Sequence, residues 1–265
     1  MSIRTIFQMS EDCARGERQG WYEFVRDYAP LAHALLLHYF PALAPELPQH
    51  VIGVFQRARE GNNNWFGTIQ FANEREFLMA FRELVFAYGR ENARLPAPPV
   101  SLEQMHAVMA DLTVVERELL WLFVKGYTAE QIAPMMMNAA ATAQAVKDKA
   151  DQKLAAILPN ANADSFRLSA RVLMEEAERR RGEKCLPLRA FNNLVNGQIT
   201  WRERELAEQH ISECLNCLDR YTGFQEMIRL RKDLTPLQES EIDAILHPLG
   251  IGKAQKSMLA KLLAR

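Results

Sequence analysis

The 265-residue chain has no excess of either charge: 32 lysines and arginines stand against 33 acids, for a net −1. It offers no general attraction to polyanions, so any nucleic-acid contact must come from a local patch. Long apolar runs are missing too. The most apolar stretch, Pro30 to Ala44, is broken by His33, His38 and Pro41 and falls short of the roughly 18 apolar residues a membrane span needs. The opening Met-Ser-Ile-Arg-Thr-Ile-Phe lacks the basic start and apolar core of a signal peptide, so a cytoplasmic protein without membrane contact is expected. Cysteines number only four, which argues against a disulfide framework and for metal or redox chemistry. Internal repeats, low-complexity tracts and alternating strand patterns are absent as well. No phosphate-binding glycine loop, open metal site or paired nucleophile and base is visible, so an enzyme is not expected.

What is present is helical periodicity. Trp21, Phe24, Val25 and Tyr28 open an apolar stripe that Leu31, Leu35 and Tyr39 continue beyond Pro30. A second segment, Pro48 to Glu60, points Val51, Val54 and Phe55 inward and ends at Gly61-Asn62-Asn63-Asn64. The third stripe, Phe77, Leu78, Phe81, Leu84, Val85 and Tyr88, is the cleanest. Leu95-Pro96-Ala97-Pro98-Pro99 excludes helix and reads as a linker. Capping boxes at Thr113-Val114-Val115-Glu116 and Thr128-Ala129-Glu130-Gln131 open two helices, with Gly126 placed to end the first and Pro134 to interrupt the second. A third helix after Met137-Asn138 aligns Val146, Ala150, Leu154 and Ile157. That order reads as a helix-turn-helix. From Ser101 to Leu158 five basic residues face seven acids, a net −2, so the block alone should hold DNA weakly. After a break at 159–164 a charged helix runs from about Ser165 to Glu183. Thr235-Pro236-Leu237-Gln238 predicts another with Pro at its first position. Near the end, Lys253, Lys256, Lys261 and Arg265 surround Met258, Leu259, Leu262 and Leu263, an amphipathic pattern suited to docking on its own domain or to a partner.

The strongest chemical signal is Cys185, His210, Cys214 and Cys217, spaced C-x24-H-x3-C-x2-C. A capping box at Thr200-Trp201-Arg202-Glu203 predicts a helix through His210. Steps of four and then three residues keep His210, Cys214 and Cys217 on one helical face, and Cys185, at the start of the preceding helix, closes a tetrahedron. Three thiolates and an imidazole are a preferred zinc set, and four protein ligands make a closed, structural site for one Zn2+. Cys13 is left over as a free thiol.

These residues, with Leu194-Val195-Asn196-Gly197 and Glu203 before them, resemble the zinc-binding anti-sigma fold of bacterial anti-sigma factors over about 184–230. In that family a helical zinc module grips a sigma factor, and in some members oxidation of the cysteines releases it. Leu112, Glu116-Arg117, Gly126-Tyr127-Thr128, Gln131-Ile132-Ala133, Val146-Lys147 and Leu154 resemble region four of an extracytoplasmic-function (ECF) sigma factor, with a turn about three residues longer. The resemblance implies DNA contacts from Gln144, Lys147, Lys149 and Lys153, although Asp148 and Asp151 share the face. Arg26-Asp27-Tyr28-Ala29-Pro30-Leu31 and Phe71, Glu76-Phe77-Leu78, Phe81-Arg82 and Tyr88-Gly89-Arg90 resemble sigma region two. There the resemblance implies polymerase contacts from Gln49, Ile52, Phe55 and Gln56. It implies promoter contacts from Asn63, Asn64, Trp65, Arg75, Arg82 and Arg90. A base can stack on Trp65, which can equally tuck under its loop, and arginines on a helix also make a solvated face.

The expectation is an all-α protein: two small helical sigma-like domains, region two and a helix-turn-helix region four, plus a C-terminal helical zinc-binding module. The boundaries are a region-two-like domain at 1–94, a Pro-rich linker at 95–101 and a region-four-like domain at 102–158. A linker helix follows at 159–183, then the zinc module at 184–232 and a helical extension at 233–265. The partners implied are core RNA polymerase, promoter DNA and a regulatory protein. Alternatively, the eroded contacts at Gln49, Ile52 and Gly53 suit a sigma-like adaptor that no longer reads promoters.

Overall fold

The computed structural model describes residues 5–60, 64–94, 100–157 and 163–251, and among these it is all-helical, with no strand. The helices are α1 (Ile6–Ala14), α2 (Arg18–Tyr39), a 3₁₀ turn (Pro41–Glu46), α3 (Leu47–Arg59), α4 (Trp65–Thr68) and α5 (Glu74–Asn92). Next come α6 (Leu102–Met109), α7 (Val114–Val124), α8 (Ala129–Met135), α9 (Ala140–Ile157) and α10 (Ala163–Arg179). The series ends with α11 (Leu188–Asn196), α12 (Trp201–Glu213), α13 (Leu215–Asp233) and α14 (Glu239–Leu246). The chain divides into two compact units, Met1–Ala93 with Asp233–Arg265, and Arg94–Lys232. Residues 233–251 of the C-terminal extension thus belong with the first helices. Helices α6–α9, the 163–179 helix and the cysteine-bearing segment fall within one unit.

In the first unit an aromatic cluster forms the core. Phe24 of α2 meets Phe55 at 4.9 Å, Phe66 at 4.9 Å and Phe81 at 5.6 Å, mostly edge to face. α1, which the periodicity did not reveal, starts at a reciprocal cap between Thr5 and Gln8. α2 runs unbroken through Pro30. Gly89 has no side chain because the Phe40 ring lies where a Cβ would be. The unit is completed by residues 234–238, which are not helical. Leu237 N–H donates to the Arg26 carbonyl at 3.1 Å, and Gln238 caps α14. That tie to α2 delays the helix predicted at Pro236 until Glu239. Ile242 and Leu246 of α14 are buried. The basic amphipathic pattern at 253–265 lies outside the described residues.

In the second unit the reciprocal caps at Ser101, Thr113, Thr128 and Thr200 all form. Each satisfies backbone donors that a helix start leaves unpaired. Gly126, at φ 95, closes α7 by letting Tyr127 N–H reach back to the Leu122 carbonyl. Pro134 sits inside the last turn of α8, which continues to Met135. Met105, Val108, Leu119, Trp121, Ile132, Val146, Ala150 and Leu173 are buried, joining α6–α9 and α10 in one core. The side chains of Leu154 and Ile157, also expected inward, lie outside the described residues.

Glu118 of α7 is buried in this unit, where α12 packs on α7. Burial pushes its carboxyl up to about 8, and the Glu208 charge adds to the rise. The folded value exceeds the roughly 4.3 of a solvated glutamate, so the folded chain holds the extra proton. The stabilisation is therefore full below about pH 4 and is lost as pH climbs toward 8. Glu118→Gln should gain stability relative to wild type by about 2–4 kcal/mol between pH 5 and pH 9. Urea unfolding at the two pH values checks this, and a pH-independent gap contradicts it.

Candidate metal centre

The four residues of the C-x24-H-x3-C-x2-C pattern come together through a broken helical hairpin. Gly197, left-handed at φ 66, ends α11, and the Thr200 cap restarts the chain as α12. α12 stops at Cys214, which is extended at φ −118, ψ 105, while its N–H still donates to the His210 carbonyl at 2.9 Å. The Cys214 carbonyl in turn accepts from Leu218 N–H at 2.9 Å, so α13 begins at once. His210, Cys214 and Cys217 therefore do not share one continuous helical face, as the spacing suggested. They converge across a one-residue break, with Cys217 in the first turn of α13. Cys185 lies in the turn before α11, not within that helix, and its N–H bonds to the Gly182 carbonyl at 3.0 Å.

One donor atom from each residue lies within 4.8 Å of all the others, and the four could hold a metal ion. Two observations test the fit. Cys185 Sγ and Cys214 Sγ are 3.7 Å apart, against about 3.8 Å for two sulfurs at 2.3 Å from a tetrahedral centre. His210 Nε2 is buried and has no hydrogen-bond partner, a costly state for an imidazole nitrogen unless a ligand fills it. Leu186 N–H donates to Cys217 Sγ at 3.3 Å, which favours charge on sulfur. The Cys217 thiol donates to Cys214 and, with a nearby cysteine and His210, holds Cys214 down to about 5. Cys217 is pushed up by that same bond and by burial. The pair shares a proton that a divalent cation would displace. With all four positions taken by protein, no coordination site is left for a substrate.

The remaining predicted contact residues fall into distinct settings. Phe55, assigned to polymerase, is fully buried against Phe24 and Phe81 and is a core residue. Arg82, assigned to DNA, is also buried, with its guanidinium 4.3 Å from the Phe86 ring centre, so it cannot line a DNA surface. Asn64 donates to the carbonyls of Cys13 and Ala14, sealing the end of α1. Trp65 is half-buried on Phe24, Phe66 and Phe77, the tucked arrangement. Asn63 lies outside the described residues. Arg75 and Arg90 are partly exposed, Gln49 and Gln56 exposed. Ile52 lines an apolar groove of about 450 Å³ between α2, α3 and residues 234–245.

On α9 each proposed DNA-contact residue meets an acid of its own block. Gln144 donates to Asp148 at 2.8 Å and Lys147 to Asp151 at 2.7 Å. Lys149 reaches Glu116 and Lys153 reaches Asp111, both at 2.9 Å. Sequence reasoning missed a buried polar cluster of Trp121, Lys125, Tyr127, Asp219, Thr222 and Glu226. The signal available was the placement of Asp219, Thr222 and Glu226 on one face of a helix beyond the cysteines.

Set against protein-family profiles, characterised proteins and solved structures, the chain shows no significant match to any of them.

The cluster predicts one tight, thiolate-rich metal site per chain. Titration with Co2+ should give sulfur-to-metal charge-transfer absorbance that saturates at one equivalent. Cys214→Ser should abolish tight binding and loosen α12 and α13, because metal binding and folding free energy are coupled. Saturation at the same stoichiometry and strength in that variant contradicts the assignment.

Proposed function

We propose that this chain is a transcription-initiation factor of the ECF sigma type. It would meet core RNA polymerase and promoter DNA, restrained in cis by an anti-sigma-like module built on one structural Zn2+. Zinc is the metal that three thiolates and one imidazole in a closed tetrahedral site suit best. The observation that carries the reading is that the cysteine module and the helix-turn-helix block fold as one unit, Arg94–Lys232. Arg117, next to the Thr113 cap of α7, donates to the Ser212 carbonyl two residues before Cys214, tying the start of the helix-turn-helix to the metal loop. An inhibitor joined covalently to its target acts at high effective concentration, so modest contacts suffice for control. The module packs on α7 and leaves outward residues of α9 exposed. Restraint in this reading therefore works by fixing the helix-turn-helix and not by covering its reading helix.

A second reading, a sigma-like adaptor that binds proteins but reads no promoter, is favoured by the acid partners on α9 and by the structural roles of Asn64, Trp65, Phe55 and Arg82. Surface ion pairs contribute only about 0–1 kcal/mol each, so phosphates could displace them, and the α9 pairs do not exclude DNA by themselves.

In vitro transcription with core polymerase separates the two. Cutting the chain near Leu158 would divide the second unit, so the full chain is used, zinc-loaded and zinc-stripped. The sigma reading predicts promoter-specific transcript, severalfold more from the stripped protein. Polymerase binding without transcript in either state supports the adaptor, and no polymerase binding at all contradicts both.

A further inference from the structure

We infer that metal occupancy at the Cys3His cluster is relayed to helix α7 of the helix-turn-helix through a buried polar latch on α13. The inference rests on the metal reading, not on the transcriptional one. α13 carries a metal-ligand position and the latch on consecutive turns. Cys217 is its third residue, and Asp219, Thr222 and Glu226 follow on one face. Opposite them are three residues of the helix-turn-helix: Trp121 and Lys125 from the end of α7, and Tyr127 just beyond it. Trp121 Nε1 donates to Asp219 Oδ1 at 3.1 Å. Lys125 Nζ lies 3.0 Å from Asp219 Oδ1 and 3.5 Å from Glu226 Oε2, and donates to Thr222 Oγ1 at 2.9 Å. Tyr127 O–H donates to Glu226 Oε1.

Lys125, Thr222 and Glu226 are at most 2% exposed, and Asp219 is 8% exposed. A buried ammonium and two buried carboxylates satisfy each other only while α7 and α13 stay in register. Partial separation would strand charges away from both water and partners. The contact is therefore closer to two-state than to a soft, graded one. Its first carboxylate, Asp219, is two residues from Cys217, in a first turn of α13 that Leu215 and Leu218 also bury. With metal bound, Cys217 pins that first turn and holds Asp219 against Trp121 and Lys125. When the metal leaves, the turn keeps its apolar packing but loses the bond at Cys217, and the latch loosens from the Asp219 end. α7 supplies no ligand, yet it registers whether the metal is there. Because coupling is reciprocal, damage to the latch must weaken metal binding, although Glu226 stands nine residues, about 13.5 Å, along the helix from Cys217.

Hydrogen–deuterium exchange on the full chain, with and without one equivalent of Zn2+, tests the relay. Zinc should slow exchange about tenfold across 114–127 as well as across 185–217. Stoichiometric zinc binding with slowing confined to 185–217 overturns the relay and leaves the metal site standing. Absence of zinc binding by elemental analysis overturns both. Lys125→Met, which keeps all four ligands, should bind zinc about tenfold more weakly. Should circular dichroism show that variant unfolded, the isosteric Thr222→Val serves in its place with a smaller loss. Unchanged zinc affinity in a folded latch variant also overturns the proposal.

Discussion

Helix α12 must end at Cys214 for anything else in the C-terminal half to work. Were the hairpin one continuous helix, His210, Cys214 and Cys217 would rise along its side at 1.5 Å per residue. Cys217 would then sit more than 10 Å along the axis from His210. One extended residue folds that distance back, so four donor atoms lie within 4.8 Å of one another. The backbone gives up little for this. Cys214 still donates to the helix behind it and accepts from the helix ahead. The cost falls on the side chains: a buried imidazole nitrogen without a hydrogen-bond partner, and thiols crowded to within 3.7 Å. A single divalent cation would relieve both.

The second constraint is electrostatic. A chain whose 32 basic and 33 acidic residues nearly cancel places its charge in two contrasting ways. Inside the second unit, Lys125 is enclosed with Asp219 and Glu226, where burial makes any mispairing expensive. On α9 the lysines pair with Asp151, Glu116 and Asp111 at the surface, where such pairs are weak and exchangeable. The buried set therefore bears on how the unit holds together, and the exposed set on which partners it can attract.

Much of the local structure was readable from the chain because its causes are local. The caps at Thr113, Thr128 and Thr200, the stop at Gly126 and the stripe from Phe77 to Tyr88 each depend on residues within a few positions of one another. The ligand set was readable for a different reason: thiols and an imidazole at close spacing have few other uses. What was not readable required partners far along the chain. Nothing in the sequence marked Lys125 as buried, because its acids lie 94 to 101 residues away. Arg82 looked like part of a basic face until Phe86 and the helices around it enclosed it. Phe55 kept the apolar frame of a docking helix, but its ring serves the core. Pro236 favoured a helix start, which the tertiary bond from Leu237 to Arg26 overrides. The break at Cys214 was hidden since steps of four and three keep the period of an unbroken helix, although not its rise.

Cys185, His210, Cys214 and Cys217 are together expected to bind one zinc ion. X-ray absorption at the zinc edge of the purified, zinc-loaded chain tests it most directly. A four-coordinate shell of three sulfurs at about 2.3 Å and one nitrogen at about 2.0–2.1 Å is expected. A shell dominated by oxygen or nitrogen, or one holding two sulfurs or fewer, would contradict it.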